Sequence, residues 1–275
     1  MKYFLVKTLI FALAAAGIFQ FKSYRLMRHD KYRERVLGSE VYYSIDKSKK
    51  KHKARKILLG DSVGKQLFDN TEENDSVNSL ACNQAISMAG QYILLDNYIK
   101  AGNTIDTAYV FFLPFSFSNN LDQIFTYNYF VKQFDRDEYQ HLISEVARQQ
   151  LDKIPFTGIA QFPAVLTSNW APDYQPEKQS SSRFLSPVSV DYLHKMLALA
   201  KKHHFKLVLR SAPVSDKKKH EVALLDKSEI AKYHLQEVFK GYFESIIYIE
   251  EKHFTDGTHL IHPENFKGLY KNTIQ

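Results

Sequence analysis

Short apolar runs alternate with stretches of helical periodicity along the chain from Lys56 onward. The runs are Ile57 to Leu59, Val77 to Cys82, Tyr109 to Leu113, Phe205 to Leu209 and Ile246 to Ile249. None alternates strictly between apolar and polar positions, which is the pattern of strands buried on both faces. Between them, helices are predicted from Ser62 to about Asn70, over Ala89 to Ala101 through Ile93, Leu94, Tyr98 and Ile99, over Val190 to His204, and from about Lys227 to Gly241. Gly102 stands where a left-handed residue closes a helix, and Pro114 stops the third run. Strands and helices in this order predict an α/β fold, a three-layer sandwich with a mainly parallel central sheet. Ligands of such sheets bind beyond the carboxyl ends of the strands.

The amino terminus has a different pattern. Residues 3 to 21, YFLVKTLIFALAAAGIFQF, carry no charge between Leu9 and Phe19. At about 1.5 Å per residue such a stretch reaches ~28 Å, close to the ~30 Å hydrocarbon thickness of a bilayer. It reads as a transmembrane anchor. The competing reading is a cleaved signal, with Lys2 and Lys7 as its basic region and Ala14-Ala15-Ala16 as its small-residue site. Residues 1–22 are therefore the anchor or signal segment, 23–55 a basic linker, and 56–275 the α/β domain, with an aromatic-rich insertion at about 121–187. Basic residues after the apolar stretch outnumber Lys2 and Lys7, which by the positive-inside tendency favours a cytoplasmic domain. The run KSKKKHKARK from Lys47 is expected to be a solvated linker, or else a tether resting on anionic headgroups.

Charge narrows the function classes. The net charge is +7, but residues 1–56 hold 15 basic and 4 acidic residues, and the rest holds 22 basic and 26 acidic. The domain itself is mildly acidic, which removes the electrostatic support for nucleic-acid binding. With Cys82 as the only cysteine, an intrachain disulfide and a cysteine-rich zinc site are both excluded.

Two stretches carry candidate chemistry. In KILLGDSVGKQ, Ser62 follows a buried strand and opens a helix, so its hydroxyl lies by amides that have no partner within the helix. A serine after an aspartate at a strand end is also an ordinary helix N-cap. In FTDGTHLIHPENF, Asp256 and His259 are three apart and fit on one side of a turn. A serine needs a base to take its proton, and the base needs a carboxylate to hold its tautomer. His262 competes with His259 for that role, and His253 precedes the aspartate.

GDSVG near the start and D-x-x-H near the end resemble the SGNH (GDSL-type) hydrolase family, over roughly residues 56 to 120 and 205 to 272. GDSVG also fits the G-x-S-x-G elbow of α/β-hydrolases, against which the D-x-x-H spacing counts. A flavodoxin-like phosphate site would call for a first loop richer in glycine. The resemblance implies a catalytic Ser62, His259 and Asp256, and an oxyanion hole from the Ser62 amide, a glycine after the second strand and an asparagine after the third. NQAISMAG supplies Gly90, with Met88 as the other register. LPFSFSNNLD departs from the family pattern: Asn119 is the candidate donor, while Ser116 is nearer the expected position. No metal or organic cofactor is implied.

The insertion's aromatic residues suit either a lid or substrate platform, or the core of a helical subdomain. The expected function is ester hydrolysis or O-acyl (acetyl) transfer on a cell-envelope carbohydrate or related ester, by an enzyme outside the cytoplasm and held by its amino-terminal helix. The alternative is a non-catalytic glycan-binding or assembly protein on a degenerate SGNH scaffold.

Overall fold

Four of the apolar runs pair into one parallel sheet. A computed structural model describes residues 1–27, 36–72, 76–174, 183–270 and 274. Most of the basic stretch after the first helix, part of the acidic TEEND turn and most of QSSSR lie outside the described residues. In chain order the principal elements are α1 (Lys2–Met27), α2 (Ser39–Ser48), β1 (Lys56–Gly60), α3 (Ser62–Leu67), β2 (Val77–Ser79), α4 (Ser87–Lys100), β3 (Thr107–Phe111), α5 (Glu145–Leu151), α6 (Pro163–Leu166), α7 (Pro187–His203), β4 (Lys206–Arg210), β5 (Val214–Ser215) and β6 (Tyr248–Ile249). The strand order is β2-β1-β3-β4, and β5 and β6 form a separate parallel pair. The fold is α/β, a parallel sheet between helical layers.

This order makes the junction of β1 and β3 the point where successive connections leave in opposite directions, the usual place for a ligand site. β1 is central, and Ile57, Leu58 and Leu59 have no exposed surface. Each contributes about 1.5–3 kcal/mol by burial, and Leu58→Ala would cost about 2–5 kcal/mol. Gly60 ends the strand because β3 passes close by: a Cβ there would lie 2.7 Å from the Phe111 carbonyl oxygen. From the other side the Gln91 side chain accepts from the Gly60 amide at 3.2 Å and donates to its carbonyl at 2.8 Å. The first-strand exit is thereby fixed from α4 as well as from β3.

The helix over Ala89 to Ala101 is α4, closed by Gly102 at φ 80°. The helix expected from about Lys227 to Gly241 is not continuous. It is helical over Ser228–Lys232 and breaks at His234, which is left-handed at φ 56°. The break lets Phe239 and Tyr242 turn onto Phe117, with ring centroids 5.2 and 5.4 Å away. Burial of that aromatic cluster outweighs the helical periodicity of the segment.

The stretch 23–55, expected to be a linker, also departs from expectation. Within it α2 buries Val41, Ser44 and Ile45 against the body. Lys47, the first residue of the basic run, is buried and donates to the carbonyls of Asn70 and Glu72 at 3.1 and 2.6 Å. Arg55 pairs with Asp106 through two bonds.

In the insertion, Tyr127, Phe130, Phe134 and Tyr139 are core residues. Lys132 is buried among them, and its ammonium group donates to Asn128 Oδ1, Ser168 O and Trp170 O at 2.6, 2.9 and 2.8 Å. Burial pulls this lysine down to about 8. Most of the insertion's aromatic residues therefore serve as packing.

Candidate active site

Asp61 caps α3 and frames the serine beside it. One carboxylate oxygen accepts from the amides of Val63 and Gly64, both at 3.1 Å. The other accepts from the Leu113 amide at 2.7 Å and from Ser116 Oγ at 2.9 Å. Burial pushes the Asp61 carboxyl above its ordinary value, and these four donors pull against that shift. Taking the second and third amides of the helix leaves the Ser62 amide unused at the helix start.

Asp256 and His259 stand on a short antiparallel hairpin. Thr255 N donates to His259 O at 2.8 Å and Ile261 N to His253 O at 2.9 Å, with Phe254 bridged to Leu260. Gly257 takes φ 72° at the tip, a left-handed conformation that glycine adopts without the clash a Cβ brings. The turn is closed by Asp256 Oδ1, which accepts from the amides of Thr258 and His259 at 3.0 and 2.8 Å. Asp256 Oδ2 meets His259 Nδ1 at 2.8 Å. Desolvation raises the Asp256 carboxyl, but the amide and ring of His259 and the Thr258 amide outweigh it and hold the group at about 2.

The hairpin is fastened to α3 by Gln66, which accepts from the Leu260 amide at 2.9 Å and donates to the Leu260 carbonyl at 3.2 Å. Gln66 lies one turn after Ser62 on the same helix face, so this clamp sets the spacing between serine and histidine. His259 Nε2 is 2.8 Å from Ser62 Oγ. Serine, imidazole and carboxylate thus form one hydrogen-bonded line at the carboxyl end of β1. The other histidines of this region are turned elsewhere: His262 Nδ1 meets Glu264 at 3.2 Å, and the His253 ring packs on Phe266.

The expected oxyanion donors are placed differently. Gly90 lies buried inside α4, where a Cβ would come 2.6 Å from the Ile86 side chain, so it is a packing glycine. Asn119 is also buried. Its side-chain NH2 donates to Gln84 O at 2.5 Å, its Oδ1 accepts from the Leu121 amide at 2.9 Å, and its carbonyl accepts from Ser186 Oγ. Its polar groups hold the loop together. Ser116 is committed to Asp61.

The β1–β2 register pairs Leu58 with Ser79, and Cys82 N continues it by donating to Gly60 O at 3.1 Å. Asn83 is the next residue after this last bond. Asn83 is half-buried, and its Oδ1 caps the next turn by accepting from Ala85 N at 2.9 Å. Sequence reasoning missed the Gln66 clamp, whose signal was a polar residue four positions after the serine. Among the described residues no group of three or more His, Cys, Asp or Glu side chains is arranged to hold a metal ion.

No family model matches the chain, and no curated protein matches it. A solved structure described as a candidate platelet activating factor from Streptococcus pneumonia is similar at TM-score 0.34 and 11% identity, over 95% of this chain and 99% of that one. A likeness at that level carries no weight here.

Proposed function

We propose that this protein is a membrane-tethered serine ester hydrolase or O-acyl transferase of the SGNH type. Its substrate would be a small acyl ester, most simply an acetyl group on an envelope carbohydrate. The observation that carries the reading is the line from Ser62 Oγ through His259 to Asp256, 2.8 Å at each step.

In the proposed reaction Ser62 Oγ bonds to the acyl carbon while its proton passes to His259 Nε2. Asp256, accepting from Nδ1–H, keeps Nε2 free to take that proton and stabilises the imidazolium that forms. The tetrahedral intermediate collapses, the bond to the leaving alcohol breaks, and His259 returns the proton to that alcohol. Water or a second hydroxyl then gives its proton to His259 and attacks acyl-Ser62, releasing the acid or a new ester and restoring the serine. The developing oxyanion is assigned to the Ser62 amide and the Asn83 side-chain NH2. A donor of this kind is worth about 10²–10³ in rate.

The amino-terminal apolar helix supports export, and we place the domain on the extracytoplasmic side. Turnover of p-nitrophenyl acetate tests the reading. The natural chain should release p-nitrophenol and Ser62→Ala should not; equal rates would refute it. A second reading, a glycan-binding module without catalysis, is favoured by one observation: Gly90 and Asn119 are both spent on packing. It predicts no serine-dependent turnover at all.

A further inference from the structure

The span from Lys2 to Ser23 is 22 residues long, and its most apolar 18-residue stretch has a mean hydropathy of 1.9 and no buried residue. At ~1.5 Å per residue it is about 33 Å long, so when Lys2 stands at one hydrocarbon boundary Ser23 stands at the other. Gln20 lies one turn short of Ser23, and its Oε1 accepts from the Ala164 amide at 3.0 Å. Ala164 belongs to α6, which packs along α1. With α1 across a bilayer, that bond sets α6 beside the end of the span, at the border between hydrocarbon and headgroups.

Around α6 the domain exposes large aromatic side chains. Phe162 caps α6 and is 51% exposed, Phe156 is 62% exposed, and Trp170 is 44% exposed. The Phe156 and Trp170 rings lie 6.2 Å apart, and Trp170 stands edge-on to buried Tyr127 at 5.6 Å. The backbone beneath them is held firmly, since Lys132 binds the carbonyls of Ser168 and Trp170. The chain returning from the anchor is tied to the same place: the Leu37 amide donates to Asn169 Oδ1 at 2.7 Å. Both sides of the anchor junction thus dock on the segment 162–170, and the exposed rings flank it.

We infer that Phe156, Phe162 and Trp170 form an interfacial platform that rests in the headgroup region of the bilayer crossed by α1. Aromatic rings with one apolar body and, in tryptophan, one polar N–H suit that zone. The platform fixes the tilt of the domain, and with it the height of the Ser62 site over the membrane. This inference rests on the anchor reading of α1 given above.

Trp170 is the only tryptophan in the chain, so its fluorescence reports on the platform alone. The full chain is reconstituted into vesicles of phosphatidylcholine and phosphatidylglycerol, with or without phosphatidylcholine brominated in the upper acyl chain, and floated on a density gradient. The expected result is protein in the floating fraction, with Trp170 emission reduced about twofold or more by the brominated lipid. Flotation with unchanged emission overturns the platform while the anchor stands. If the chain fails to float, the anchor is refuted and the platform with it. Protection from aqueous acrylamide without quenching by brominated lipid assigns the rings to a second copy of the chain and overturns the lipid assignment.

Discussion

Asp61 Oδ2 accepts the Leu113 amide at 2.7 Å, joining the exit of β1 to the exit of β3 beside Ser62. The carboxylate is buried and holds three further donors, so the loop geometry around the serine hangs on one side chain. Asp61→Ala leaves those donors in the interior without an acceptor and is expected to cost about 3–5 kcal/mol. For a domain of this size that lowers Tm by roughly 6 to 20 °C, read by calorimetry. Asp61→Asn should also destabilise, because its NH2 faces N–H or O–H donors whichever way the amide is turned.

Asp256 is held at about 2 by its bonds to His259 and Thr258. For a depressed carboxyl the sign is fixed: its contribution is present above the ordinary carboxylate value and is lost as pH falls toward about 2. The contribution of the Asp256 carboxylate should therefore persist down to about pH 4 and be lost as pH falls from there toward 2. Asp256→Asn is expected to reduce kcat/KM by about 10²–10⁴ at neutral pH. Because the side chain is exposed, Tm should hardly change. A pH–rate profile of both chains checks this; a large loss of Tm with unchanged kcat/KM would make Asp256 a structural residue only.

Gln66 touches neither Ser62 nor the proposed substrate position, yet it clamps Leu260 next to His259. Gln66→Ala is expected to lower kcat about tenfold or more with little change in KM, as a misplaced base does. Gln66→Glu keeps the acceptor for the Leu260 amide and should recover part of the loss. Steady-state kinetics of both variants decide whether Gln66 is a positioning residue.

Asn83→Ala tests the oxyanion assignment. A lost donor should reduce turnover of p-nitrophenyl acetate by about 10²–10³. The Asn83→Asp chain should be no better, since a carboxylate repels the developing charge. If Asn83→Ala turns over at the rate of the natural chain, the donor lies elsewhere along the Asn83 to Gly90 segment.

The sheet was legible because buried strands need only a short apolar run, and the β1 to β4 runs appear within one to three residues of their places. The Asp256–His259 turn was legible for a similar reason: spacing of three and a glycine describe it locally. The long helix expected over Lys227 to Gly241 failed because the packing of Phe239 and Tyr242 on Phe117 is a long-range demand that periodicity does not record. α2 was hidden in a basic stretch, and within the helix itself Val41 and Ile45 are the only aliphatic pair at helical spacing. Gly90 and Asn119 were misplaced as donors because a donor is defined by where its N–H points after the loops close, and a short change of register in NQAISMAG moves it.

The most direct measurement is covalent capture of the serine. The full natural chain is treated with a serine-directed fluorophosphonate, and the adduct is located by intact mass and peptide mapping, with Ser62→Ala and His259→Ala in parallel. One adduct, on Ser62, absent from Ser62→Ala and formed far more slowly on His259→Ala, is the result expected of a hydroxyl activated by the imidazole 2.8 Å away. No adduct on the natural chain, or the same adduct yield on Ser62→Ala, would contradict it.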